Sequence, residues 1–221
     1  MPKQAGEARL AIDCGTTSTV AVLAWPDGSW SPLSIDGAPH LPSAVYLSPD
    51  GDVWTGQRAW QAAADQPNRF IPAPRRPTDD QLTVDGTVVD ALDLTAATLR
   101  RVAAEAERVA GGPLQDVRVV VPARWGPRRT WMRQAAHRAG LPQPRLVEAP
   151  VAVAEHLVAA GLRWPVGSFI AVCDLGAGAE VSVLRRGPAG RDPRRPGRRR
   201  QRHRPSPHRV PHRRPHAGGH R

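Results

Sequence analysis

An apolar strand that runs into an acidic residue, a glycine turn and a second apolar strand occurs twice in this chain. The first copy is RLAIDCGTTSTVAVLA, around Asp13 and Gly15. The second is FIAVCDLGAGAEVSVLRR, around Asp174 and Gly176 to Gly178. Such segments predict strands over 9–14 and 19–25 and a hairpin over 168–186. A tight turn leaves backbone N–H groups pointing outward, and glycine lets that backbone approach an anion closely. Thr16 and Thr17 add hydroxyl donors. A strand-end carboxylate can hold a hydrated Mg²⁺, which keeps several of its waters. Either turn alone is a weak signal. Two that face each other would clamp phosphates from both sides.

The intervening sequence alternates strands with helices. Strands are expected in GSWSPLSIDG, SAVYLS, DVRVVVPA and RLVEA, and a hairpin around Asp85-Gly86, a pair suited to positive φ. GQRAWQAAADQ reads as a short helix. Apolar residues Leu99, Val102, Ala106 and Val109 recur at helical spacing, which predicts a helix over 94–110 capped by Asp93 or Thr95 and ended by Gly111-Gly112. Further helices run from Pro127 to Gly140 and from Pro150 to Gly161. This order implies an α/β fold with a partly parallel sheet.

Charge is distributed unevenly. Between residues 187 and 221 there are twelve Arg and one acid, Asp192, which account for the whole formal net charge of +11. Residues 1–186 are neutral on balance, so the body has no nucleic-acid signature. The last segment has no Leu, Ile, Phe, Trp, Tyr or Met to bury, and is expected to be disordered and to attract polyanions non-specifically. Its residues share codons that begin with C or G. A GC-rich frame shifted by one base would yield this mixture, so the segment reads as frameshifted or degenerate. Its five His residues are spread among arginines that would repel a metal. No apolar run is long enough to span a membrane, and the N-terminus lacks a signal-peptide core. Cys14 and Cys173 both lie in apolar strands and are expected to be reduced, buried thiols in a cytoplasmic protein.

The stretch VVVPARWGPRRTWMRQAAHRAGLPQPRLVEAPVAVAEHL resembles a segment of the heat-shock-protein-70 chaperones: a strand ending in Val-Pro-Ala, an Arg/Gln-rich helix, then a strand ending in Glu-x-Pro. AIDCGTTSTVAVL is similar to that family's first phosphate loop and VCDLGAGAEVSVL to its second, in the same order. The resemblance covers residues 9–186, most closely 9–25 and 117–186. It implies an actin-like (ribonuclease H-like) ATPase fold, with residues 1–8 as an extension and 9–167 as the first lobe. Residues 168–186 would open the second lobe, and 187–221 would be the tail. It implies ATP or ADP with Mg²⁺ as ligands, and polypeptide clients or co-chaperones as partners of full-length relatives.

By the same resemblance, Asp13 and Asp174 orient metal-bound waters, and Thr16 and Thr17 donate to phosphates beside Gly15. Glu148 lies near the attacking water, and Gly176, Ala177 and Gly178 shape the second turn. The family's catalytic lysine falls near Arg75, which is either a phosphate-facing cation or a solvated loop charge. Ala177 replaces a usual Gly and Ala179 a usual Thr, so hydrolysis is expected to be impaired. The resemblance stops at Arg186, short of the rest of the second lobe, so the chain reads as truncated and its nucleotide affinity as weak. The competing readings are a sugar kinase or another actin-fold phosphotransferase, a division actin, a scaffold without ligand, and non-specific nucleic-acid binding by the tail.

Overall fold

A computed structural model describes residues 8–76, 80–114, 116–141 and 143–188. The N-terminal extension and the Arg-rich segment from 189 onward lie outside the described residues. The first compact unit runs to Arg186.

Two strands, β1 (Arg9–Cys14) and β2 (Ser18–Ala24), form the antiparallel pair expected around Gly15. Short strands β3 (Trp30–Pro32) and β4 (Leu41–Pro42) also pair with β2. A smaller sheet follows, with β5 (Val45–Leu47) between β6 (Val53–Thr55) and β7 (Phe70–Ile71), and helix α1 (Gly56–Ala63) links the last two. Strands β8 (Gln81–Val84) and β9 (Thr87–Asp90) make the predicted hairpin, with Asp85 at φ 46° and Gly86 at φ 77°.

Helix α2 (Ala91–Ala110) starts one turn earlier than the sequence predicts. The cap is Asp90, whose carboxylate accepts from the Leu92 N–H at 2.8 Å. Strand β9 delivers the chain directly into the helix, so neither Asp93 nor Thr95 is needed there. The end is as expected, with Gly111 in the left-handed region at φ 74°. The chain then forms β10 (Asp116–Val121), α3 (Arg128–Arg138), β11 (Arg145–Glu148) and α4 (Ala149–Ala159). Strand β10 lies parallel to both β1 and β11. The main sheet therefore runs β11-β10-β1-β2-β3, with its parallel part on one side. This mixed α/β lobe agrees with the actin-like expectation.

Side-chain alternation sorts the main sheet into two faces. Leu10, Ile12, Leu23, Val117, Val119, Val121 and Leu146 point to one side and are buried. There they pack with Leu92, Leu99, Val102 and Ala106 of α2 and Met132, Ala135 and Ala136 of α3. Burial of these side chains contributes roughly 1.5–3 kcal/mol for each large one. The same period sends Asp13 to the opposite face from its neighbours Ile12 and Cys14.

The final hairpin is β12 (Phe169–Leu175) with β13 (Ala179–Arg185), paired in register from Phe169–Arg185 to Leu175–Ala179. One of its faces is partly covered. On the other, Phe169 (66%), Val181 (67%) and Val183 (67%) are exposed. Cys173 shares that face and is exposed, which corrects the expected burial. The cause is that no described element packs there. Cys14 is buried and both thiols are free.

Candidate functional site

The first turn is built around a glycine that cannot be replaced without moving the backbone. A Cβ at Gly15 would come within 2.4 Å of the Ser18 carbonyl oxygen. The Gly15 N–H donates to that same oxygen at 3.0 Å, which closes the turn. Two buried hydroxyls brace it from below. Ser43 Oγ donates to the Gly15 carbonyl at 3.0 Å and lies 2.9 Å from Thr19 Oγ1. The Ser43 N–H donates to the Thr17 carbonyl at 2.9 Å. Thr19 and Ser43 were not among the expected site residues. The available signal was a threonine in the inward register of an otherwise apolar strand.

The second turn is bare. The Gly176 N–H donates to the Gly178 carbonyl at 2.8 Å. A Cβ at either glycine would meet nothing within 4 Å, so packing does not demand glycine here. The two turns flank a cleft of about 340 Å³ on the sheet face opposite α2 and α3. Asp13, Gly15, Thr16, Thr17, Arg75, Asp174, Gly176, Ala177 and Gly178 all line it.

Charges of both signs crowd together in the cleft. Burial by the cleft walls raises the Asp13 carboxyl above its ordinary range, and the Asp174 charge adds to this, while Arg75 opposes it. Burial also works against the charge on Arg75, as does Arg128, whereas Asp13 and Asp174 support it. Beneath Asp13, burial pushes the Cys14 thiol up as well. Among the described residues no group of three or more His, Cys, Asp or Glu could hold a metal directly. The two facing aspartates suit a cation that keeps most of its water, as Mg²⁺ does.

Arg75 is held from several directions. Its Nη2 donates to Thr16 Oγ1 at 3.3 Å. Its guanidinium lies over the Trp125 ring, 4.9 Å from the centroid. The Arg75 carbonyl accepts from Arg128 Nη2 at 2.8 Å, and Arg128 also lies against Trp125 and Trp131. The Trp125 carbonyl in turn accepts from Arg129 Nε at 2.7 Å.

Glu148 is the expected residue that the cleft does not take in. It ends β11 next to Ala149, which does line the cleft, but its carboxylate forms an ion pair with Arg129 Nη2. The hairpin that carries the second turn is tied to the lobe by Arg124, whose backbone N–H donates to Glu180 Oε1 at 3.3 Å. Among the described residues no helix is long and apolar enough to cross a membrane.

Comparison with known proteins agrees with this fold. The family model described as Hsp70 protein matches residues 51–188. Proteins named "Chaperone protein DnaK" from Thermotoga neapolitana and Thermotoga maritima are each 28% identical to this chain over 184 residues. Each alignment covers 80% of this chain and 30% of the relative, so the chain spans about a third of the length of these relatives.

Proposed function

The chain belongs to the Hsp70 protein family, and from that premise we propose that its cleft binds a magnesium adenine nucleotide, ATP or ADP, through the phosphates. The observation that carries this reading is the pairing of a glycine turn that packing requires with one that packing does not, across a cleft walled by Asp13, Asp174 and Arg75. Glycines unneeded for packing leave backbone that a ligand can approach. Asp13 and Asp174 would hold the metal through water, and Thr16, Thr17 and the turn N–H groups would bind phosphate oxygens. Bound magnesium would neutralise phosphate charge and polarise the transferring phosphoryl group.

The wider reading is an ATPase of the chaperone family, acting in the cytoplasm with polypeptide clients and co-chaperones as partners. Within it, hydrolysis by this chain is slow. Ala179 offers no hydroxyl to the second turn, and Arg129 engages the carboxylate of Glu148 that would otherwise order a water. Residues 9–167 serve as the first lobe and 168–186 as the opening of the second. The arginines after Gly187 supply a separate, salt-sensitive affinity for polyanions.

Calorimetric titration of the full chain with Mg-ATP tests the nucleotide reading. The expected dissociation constant is no tighter than roughly 0.1 mM, and binding should vanish in Asp13→Ala. Heat that is unchanged by Asp13→Ala would place the nucleotide elsewhere and sink the proposal.

A further inference from the structure

We propose that Trp125 is a positioning residue for the cleft's cation: its indole face holds the Arg75 guanidinium so that the two act as one unit on a phosphoryl group. The inference rests on the phosphate reading of the cleft. It does not depend on the ligand being a nucleotide.

Arg75 follows β7 in an irregular segment, where no helix or strand sets its direction. A side chain with this many rotors costs entropy to fix unless something fixes it beforehand. The usual device is a carboxylate, yet Arg75 forms no ion pair with a described acid, and its hydrogen bond to Thr16 is long at 3.3 Å. The indole takes that place, with the guanidinium 4.9 Å from the ring centroid. A guanidinium set against a ring, and not paired with a carboxylate, keeps N–H groups available for a bidentate anion. A carboxylate partner would instead consume the fork.

Trp125 is suited to the role because it is itself pinned. It packs on the core cluster, and its carbonyl is held by Arg129. Arg128 fixes the backbone of Arg75 and lies 5.4 Å from the same indole. Two guanidiniums so close repel each other, in keeping with the opposition of Arg128 to the Arg75 charge. An incoming polyphosphate would relieve that repulsion.

The test is a double-mutant cycle on the full chain, read by calorimetry with magnesium tripolyphosphate and, separately, with Mg-ATP. Arg75→Ala and Trp125→Leu should each weaken tripolyphosphate binding by about tenfold, and the double variant should be no weaker than either. Trp125→Phe should stay within about threefold, because a phenyl face still attracts a guanidinium. Thermal melts check folding. If Trp125→Leu does not fold, the cycle is run with Trp125→Phe and Arg75→Lys, each expected to lose about threefold without adding. Losses that add, a Trp125→Leu variant that folds and binds like wild type, or a wild-type chain that ignores tripolyphosphate at millimolar concentration would each overturn the pairing. Coupled losses for tripolyphosphate with no binding of Mg-ATP would uphold it and reject the nucleotide reading instead.

Discussion

Arg129, on the first turn of α3, and Glu148, at the end of β11, form an ion pair beside the cleft. The pair is part-buried and charge-assisted, so it competes directly with any water that Glu148 could order. The same arginine also holds the Trp125 carbonyl.

Replacing Arg129 should therefore expose a trade. Arg129→Gln is expected to raise single-turnover ATP hydrolysis several-fold and to lower stability by about 1 kcal/mol, the usual worth of such a contact. Rapid-quench measurement of phosphate release checks the first and urea unfolding the second. A variant that hydrolyses no faster would show that Glu148 is not what limits the reaction.

Asp13 should make stability depend on pH. Its carboxyl is raised above 3.8 mainly by burial, so the folded state holds the proton more tightly than the unfolded state. That contribution is fully present below the unfolded value and is lost as pH rises through the folded one. Asp13→Asn is thus expected to melt above wild type at pH 7, with the gap closing in acid, in metal-free buffer. Melting curves at several pH values decide it, and a gap that widens in acid would contradict the sign.

Two hydroxyls on α2, Thr95 Oγ1 and Thr98 Oγ1, are buried without a hydrogen-bond partner among the described residues. Leaving a polar group in this state costs about 1–3 kcal/mol, while valine has nearly the same shape and helix propensity. Thr98→Val should stabilise the lobe by about 1 kcal/mol, a rise of roughly 2–4 °C in Tm for a domain of this size. Calorimetric melting is the measurement, and destabilisation would mean the hydroxyl has a partner after all.

The two thiols should react at very different rates. Cys173 lies on the open face of the β12–β13 hairpin, whereas Cys14 is buried and its thiol is pushed up by that burial. Titration with a chromogenic disulfide should give one fast equivalent in native protein and a second only on unfolding. In hydrogen exchange the hairpin should be less protected than β10, as a two-stranded ribbon with an uncovered apolar face is marginal alone. Two fast equivalents, or a hairpin as slow as β10, would refute this.

How far the sequence could be read depended on the range of the forces involved. The Gly111 cap, the Asp85-Gly86 turn and both aspartate turns are set by neighbours within a few residues, and those were legible. The start of α2 was misplaced because Asp90, Asp93 and Thr95 are all competent caps, and the choice was made by β9 running straight into the helix. The exposure of Cys173 is not legible because FIAVCDL carries apolar residues on both of its faces, so alternation does not say which one is covered. The Trp125–Arg75 cation–π contact and the Arg129–Glu148 pair join residues 50 and 19 positions apart by simple numbering. Nothing local marks either contact, so neither could be foreseen.

The crowding at Gly15 also sets what mutation can do to this gene. Every missense change reachable from a glycine codon adds a Cβ, and at this position that atom would fall on the Ser18 carbonyl oxygen. A saturation library selected only for folding should therefore be empty at residue 15. At Gly176 and Gly178, where an added Cβ meets only open space, alanine should survive the same selection. Depletion at those two positions would emerge only when the library is sorted on ligand capture, which separates the glycine kept for architecture from the glycines kept for access.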